Sequence, residues 1–520
     1  MRKAVLSMAI VLGWAWHCQA QTAPAKYDIG PLVKGLKTVE TREAALAQLK
    51  EVPKDALVPL WGVVENPETP ERVRQDIRSG FREIYKRLEA ERVKHELELE
   101  KAWNQGTIDA YNAVGMRNPK WDALAVAALS KLDRSVDCFN RFKAVVAAGC
   151  NDPLIAYYYA LRGMDTAPAQ LEHDEGIRLL QKAAQDLDAS KYPDSRKLYG
   201  HLRFLQFAKR GTYPVDMPLQ LKAQSYDRAL QLLGSLAGGQ ISERHWRESE
   251  DILEAAGKSI GESPKSAYEK LYAAFVKAFP QSDLGPFIQV DFYTDYAWEA
   301  RGGGWAADVK EDGWKLFGER LKIAGEAGRR GWELDPLNYR CAEDMIRVCM
   351  GEGRDRAEME TWFQRAMLAN PYAYDACRFK MTYLLPKWNG SLDEVLAFGE
   401  ECVKNSTPDS RQALVMVEAI ASLRKDAADE EALMAQPRIW KDIQAAYEKL
   451  LSDPSMMQTK KAQCLADRAE YLKYAVACQQ WQAALDLMDR FGADVDMKQV
   501  GGQGMYDFYK KKAKDELAKK

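Results

Sequence analysis

Three carboxylates, Asp291, Asp295 and Glu299, recur every four residues in a segment with helical character. That spacing stacks them on one helix face about 6 Å apart. Two carboxylates at such a separation are what a retaining glycosidase uses as acid and nucleophile. A solvated polar face produces the same spacing and needs no chemistry. Asp295, Trp298 and Arg301 follow one another at intervals of three and bring a carboxylate, an indole and a guanidinium to Gly302-Gly303-Gly304-Trp305. A glycine loop lets a ligand come close to the backbone, and the three side chains suit a peptide terminus or a sugar ring. Asp295, Trp298, Arg301 and Trp305 are therefore the candidate ligand-binding residues. In the competing account Asp295 and Arg301 pair across two turns and clamp the loop, with Trp298 in the core.

Other motifs fail on their context. Gly257-Lys258-Ser259-Ile260-Gly261 matches a nucleophile elbow, but that motif needs a strand before it to lift the serine onto a strained turn. Asp251 to Ala256 reads as helix, so a helix end is expected there. For a phosphate-binding loop, Ile252 stands where the first glycine belongs. Gly325, Gly328 and Gly331 lie on one predicted helix and read as small residues that admit a close neighbour. His95, His173, His201 and His245 are far apart and form neither an HExxH motif nor a His–carboxylate cluster. Beyond Cys18 no cysteine falls in a CxxC pair, against a zinc ribbon or a thioredoxin-type site. Cys341 and Cys349, eight residues apart on one helix, stand about 12 Å apart along its axis, too far to bridge. Mostly free, buried thiols are expected. No catalytic residue, metal or cofactor is expected.

The elements that must position these residues are helices. Val73, Ile77, Phe81, Ile84, Tyr85 and Leu88 recur at spacings of three and four, the stripe of an amphipathic helix. Helical segments continue with turns at Asn118-Pro119, Gly149-Cys150-Asn151-Asp152-Pro153 and Tyr192-Pro193-Asp194. Only Phe287 to Phe292 looks strand-like, and it is flanked by helix. Asp335-Pro336 and Asn370-Pro371 each close an apolar helical segment about 35 residues apart, close to the roughly 34-residue period of helix–turn–helix repeats. Phe363, Ala366 and Pro371 then fill the aromatic, small and stop positions of a second repeat helix, with Gly353 at the turn before it. One such hairpin cannot bury its apolar face alone, so hairpins stack and leave a surface that can hold another molecule. An all-α, right-handed superhelical array of tetratricopeptide-like hairpins is expected.

The N-terminus has the form of a secretory signal: Met1-Arg2-Lys3, an apolar run from Ala4 to Trp16, then Cys18-Gln19-Ala20 as a cleavage site. The run is short for a bilayer span of about 20 residues, and no later segment is apolar for long enough. The expected organisation is a signal over 1–20, an extension with short helices over 21–68, degenerate hairpins over 69–264, a tetratricopeptide-like core over 265–410 and C-terminal hairpins over 411–520. A formal net charge of −2, from 74 basic and 76 acidic side chains, carries no broad field for nucleic acid.

Several phrases carry a resemblance. They are Tyr296-Ala297-Trp298-Glu299-Ala300-Arg301-Gly302-Gly303-Gly304-Trp305, Trp362-Phe363-Gln364-Arg365-Ala366-Met367 and Leu385-Pro386-Lys387-Trp388-Asn389-Gly390-Ser391, preceded by Asn118-Pro119-Lys120-Trp121-Asp122 and Gly149 to Pro153. Over most of residues 105–410 the chain resembles a family of exported bacterial helical-repeat proteins without an assigned activity. The resemblance implies a tetratricopeptide-like fold and an exported location, and no catalytic residues. The expected function is that of a secreted or periplasmic scaffold binding a protein or peptide, with no nucleic acid and no integral membrane segment after signal removal. The alternative is a secreted carbohydrate-active enzyme on an (α/α) toroid, which is also all-helical and Trp-rich.

Overall fold

The computed structural model describes residues 27–209, 218–236, 240–280, 282, 284–304, 306–408 and 410–519. The expected signal segment and Trp305 lie outside the described residues. No strand occurs among the described residues; the elements are α-helices with two short 3-10 turns. Phe287 to Phe292, the one strand-like run, lies inside the helix Leu284–Arg301. Its apolar residues pack against several neighbouring helices at once, which is why they form a run rather than a stripe. Among the described residues no helix is long and apolar enough to cross a membrane.

Contacts divide the chain into two compact units, the first ending at Glu89 and the second beginning at Ala90. The first contains α1 (Gly30–Lys37), α2 (Arg42–Lys50), α3 (Leu57–Glu65) and the opening turns of α4 (Glu71–Val114). The stripe Val73, Ile77, Phe81, Ile84, Tyr85 and Leu88 is buried along α4. Trp61 stacks on Phe81 with ring centroids 4.9 Å apart, and Arg42 forks onto Asp76 at 2.6 and 2.9 Å.

The second unit continues with α5 (Asp122–Leu129), α6 (Val136–Ala147), α7 (Pro153–Asp165), α8 (His173–Asp188), α9 (Asp194–Lys209), α10 (Leu219–Ser235), α11 (Glu243–Ile260) and α12 (Pro264–Ala278). Next come α13 (Leu284–Arg301), α14 (Glu311–Leu334), α15 (Tyr339–Glu352), α16 (Arg356–Ala369), α17 (Tyr374–Tyr383), α18 (Leu392–Asn405) and α19 (Leu414–Asp426), and shorter hairpins follow to Leu517. Side-chain caps start many of them: Ser135, Asp152, Ser242, Ser263, Asp355 and Ser391 each accept from backbone N–H groups of the first turn. Gly353 ends α15 at φ +65°, a left-handed cap that lets the chain reverse into α16.

Packing alternates along the second unit. Each helix of the stretch α13–α18 packs on the next in sequence, and α13, α15, α17 and α19 also pack on one another in turn. These first helices of successive hairpins form one layer, and α14, α16 and α18 form the other. Gly328 and Gly331 on α14 allow the layers to approach: a Cβ at Gly331 would lie 2.9 Å from Cys341 Sγ on α15. Trp332 and Trp362 meet edge to face between second helices, with the Arg365 guanidinium 3.7 Å from the Trp332 ring centre. All eight described cysteines are buried free thiols.

Candidate ligand-binding site

A cavity of about 400 Å³ opens on the layer of first helices. Asp291 enters it from α13, Tyr339, Arg340, Glu343, Asp344 and Arg347 from α15, and Tyr374, Asp375 and Phe379 from α17. Asn370, Tyr372 and Ala373 close it from the turn at Asn370-Pro371. Helical spacing places the α15 set: Arg340, Glu343, Asp344 and Arg347 follow at intervals of three and four and share one face. The turn is fixed locally, because Asn370 Oδ1 accepts from Tyr372 N at 3.0 Å.

Two side chains bind the three helices together. Arg347 Nη1 forms an ion pair with Asp295 Oδ1 of α13 at 2.7 Å and donates to Asp344 Oδ1 at 3.4 Å, and its guanidinium lies 5.1 Å from the Phe379 ring centre of α17. Glu343 Oε1 accepts from Ala376 N at 3.1 Å, capping the start of the next first helix. Beyond α17, Arg378 Nε donates to Glu418 of α19 at 2.9 Å, and the Tyr374 hydroxyl donates to the same carboxylate.

The cavity is electrically loaded. Four carboxylates and two guanidiniums line it. Burial pushes the Glu343 carboxyl up to about 7, with Asp375 adding to the rise while the Ala376 N–H and Arg340 oppose it. Asp344, 5% exposed, is raised well above the ordinary value by burial and by Asp291, with Arg347 pulling the other way. Asp291 is exposed, yet the protein around it and Asp295 nearby raise its carboxyl too, with Arg247, Arg340 and Arg347 opposing. On α11, burial carries Glu250 up to about 8 despite its 2.9 Å pair with Arg247, helped by Asp251 and Asp291. Burial and neighbouring like charges thus oppose the ionisation of these carboxyls.

A pH dependence follows. A carboxyl whose folded pKa exceeds its unfolded value contributes stability that is full below the unfolded pKa, near 4, and is lost as pH rises through the folded one. For Glu250 and Glu343 that loss runs from about pH 4 to about pH 8. Buried His201 and His245, both depressed by burial, slope the opposite way as pH falls below the ordinary imidazole range, so the comparison is between variants. Relative to the parent, Glu250→Gln and Glu343→Gln are expected to gain stability as pH rises from 5 to 8. The gain at pH 8 is at least about 1 kcal/mol, since one pKa unit is worth about 1.4 kcal/mol. Thermal unfolding of parent and variants at both pH values checks it; parallel curves contradict it.

The residues singled out from sequence go to two places. Asp295 joins the cavity wall through Arg347 rather than pairing with Arg301. Arg301 donates through Nη1 to the carbonyls of Gly302 and Gly304, at 3.1 and 2.6 Å, and so ties down the glycine loop. Gly302 has φ +73°, which favours glycine there. Trp298 is half-buried and packs edge to face on Phe317 and Trp388, and the Arg301 guanidinium sits 5.2 Å from the Trp388 ring centre. Gly257 to Ile260 is helix and Ser259 Oγ donates to Ala256 O, so the elbow-like motif is a helix end.

The histidines form no cluster, but the fold brings three of them to single carboxylates. His201 Nε2 meets Asp188 at 3.0 Å with Arg228 on the same carboxylate, and His245 lies 2.7 Å from Ser242 Oγ and 4.0 Å from Glu100. These partners are 13 to 145 residues away in sequence or hidden in a cap, out of reach of motif spacing. Ser242 is the N-cap of α11 and accepts from His245 N, so the pair is a capping arrangement. The α15 set Arg340, Glu343, Asp344 and Arg347 was also missed, although its spacing was available. Among the described residues no three His, Cys, Asp or Glu side chains converge as metal ligands. No family model matches the chain, and no curated protein matches it.

Proposed function

We propose that the protein is an exported, non-catalytic scaffold that holds a protein or peptide along the first helices of a right-handed, tetratricopeptide-like array. The observation that carries this reading is a cavity crossing three successive first helices, with tyrosine, phenylalanine, arginine and carboxylate side chains on its wall. Its volume falls within the roughly 300–1,000 Å³ typical of ligand sites. A site spread over successive hairpins suits an extended chain, which meets one first helix after another. Asp295, Trp298 and Arg301 form the neighbouring stretch of the same surface in this reading, with Trp314, 40% exposed, beside Arg301. The signal-like N-terminus and the resemblance to exported repeat proteins support a secreted or periplasmic location.

The carbohydrate-active alternative would need an acid and a nucleophile from this same wall. Asp295, one of the two carboxylates that would serve, is committed to Arg347. Selection of a random peptide library on the immobilised chain is expected to enrich a related set of peptides. Phe379→Ala is expected to weaken their binding at least tenfold. A selection without enrichment, together with release of reducing sugar from a polysaccharide panel that Asp291→Ala abolishes, would sink the scaffold reading in favour of the enzyme.

A further inference from the structure

We propose that the cavity takes a cationic side chain, the guanidinium of an arginine or the ammonium of a lysine, presented by an extended segment of the bound peptide. This rests on the peptide-binding reading above and adds the chemistry of what is bound.

The charge count is the first ground. Asp291, Glu343, Asp344 and Asp375 face Arg340 and Arg347; Asp375 is also paired with Arg378 at 2.9 Å, and Arg347 is already shared between Asp344 and Asp295. Asp291 lines the cavity, is exposed to solvent, and has no ion pair or hydrogen bond among the described residues. Helix α11 adds Glu250 and Glu254, whose charges interact with that of Asp291, together with Arg247, which pairs with Glu250 and favours the Asp291 charge. Crowding like charges in a partly enclosed space is unfavourable until a counter-charge arrives, and a cation entering from solvent relieves it.

The shape of the charge distribution selects the kind of cation. The carboxylates are spread around about 400 Å³ and no three converge as metal ligands, so the geometry does not suit a small inorganic ion, which wants several oxygens at one point. The spaces between them are aromatic: Tyr339, Tyr374 and Phe379 line the same cavity. Aromatic faces beside carboxylates recognise an organic cation, through the ring quadrupole and the apolar stem that carries the charge. The protein uses the same device internally, where Arg347 lies over Phe379 and Lys380 sits 4.2 Å from the Phe363 ring centre. An arginine or lysine side chain carries both a stem and a head.

The test starts from peptides selected on the full chain. Synthetic copies are made in which each arginine becomes citrulline and each lysine norleucine, removing charge at nearly constant shape. One such replacement is expected to weaken binding at least 30-fold. Asp291→Asn and Asp344→Asn are each expected to weaken the charged peptide about tenfold and to leave the citrulline peptide unchanged. Both variants should melt no lower than the parent, because each removes a repelled charge; a purely structural role would lower the melting temperature and affect both peptides alike. Selected peptides that bind well without any basic residue overturn the cation proposal and leave the groove reading standing. A citrulline-sensitive peptide indifferent to both variants binds elsewhere and also overturns it. Spermidine displacing the peptide at the peptide's own concentration overturns it in favour of a free small cation. Failure of every peptide to bind overturns the groove reading and this proposal together.

Discussion

Replacing Asp152 by alanine is expected to cost the second unit at least about 4 kcal/mol. The side chain is fully buried. Its Oδ1 accepts from Leu154 N at 2.9 Å and Ile155 N at 3.2 Å, capping α7, and from the Tyr192 hydroxyl at 3.0 Å. Its Oδ2 accepts from Met116 N at 2.8 Å. One carboxylate therefore serves four donors: two at the helix start, one at the end of α4, and one from the turn before α9. A lost N-cap costs about 1–2 kcal/mol, and each buried donor left unpaired about 1–3 kcal/mol. The Tyr192 hydroxyl, strongly raised by burial and by Asp152, would lose its acceptor as well. Asp152→Asn keeps an acceptor at one oxygen and should lose about half as much; Tyr192→Phe removes one donor and should lose about 1 kcal/mol. Urea unfolding followed by helical circular dichroism ranks the three. A loss under about 1 kcal/mol for Asp152→Ala would contradict this account of the turn.

The second large effect lies where the two helix layers touch. A Cβ at Gly328 would stand 2.9 Å from Met345 Cγ on α15 and 3.1 Å from Val290 Cγ2 on α13. Gly328→Val therefore drives branched carbons into both first helices at once, and overpacking of this kind costs about 3 kcal/mol. Gly325, one turn earlier on the same helix, meets only Val348 Cγ1 at 3.4 Å and the ends of two flexible arginines. Gly325→Ala should be neutral or gain up to about 1 kcal/mol from helix propensity. Opposite signs at two glycines one turn apart are the signature of a layer contact at Gly328. Melting temperatures that move together would mean the layers are not packed as described. Because the cavity wall is built on α13 and α15, Gly328→Val should also weaken peptide binding, whereas Gly325→Ala should not.

Helical periodicity made the architecture readable, because each amphipathic segment carries its own burial pattern. The stripe from Val73 to Leu88 and the Gly353, Ala366 and Pro371 positions lie where their spacing puts them. The glycines at 328 and 331 read correctly as small residues for a close neighbour, whereas Gly325 has room for a Cβ. Contacts between hairpins were less readable. Arg347 reaches Asp295 across 52 residues and Glu343 caps a helix 33 residues later, distances at which no periodicity carries information. The attention given to Asp295, Trp298 and Arg301 followed from unusual residue types beside a glycine loop. The ordinary-looking face of α15 holds more of the cavity, since carboxylates and arginines at spacings of three and four also describe any solvated helix. Only its opposition to α13 and α17 distinguishes it.

Amide hydrogen exchange of the full chain, with and without a selected peptide, tests the central claim most directly. Bound peptide is predicted to slow exchange in 287–297, 339–347 and 370–379, the segments of α13, α15 and α17 that build the cavity, and to leave the second helices α14 and α16 unchanged. Slowed exchange confined to α14 and α16, or to residues before Glu89, would contradict the assignment of the first-helix layer as the binding surface.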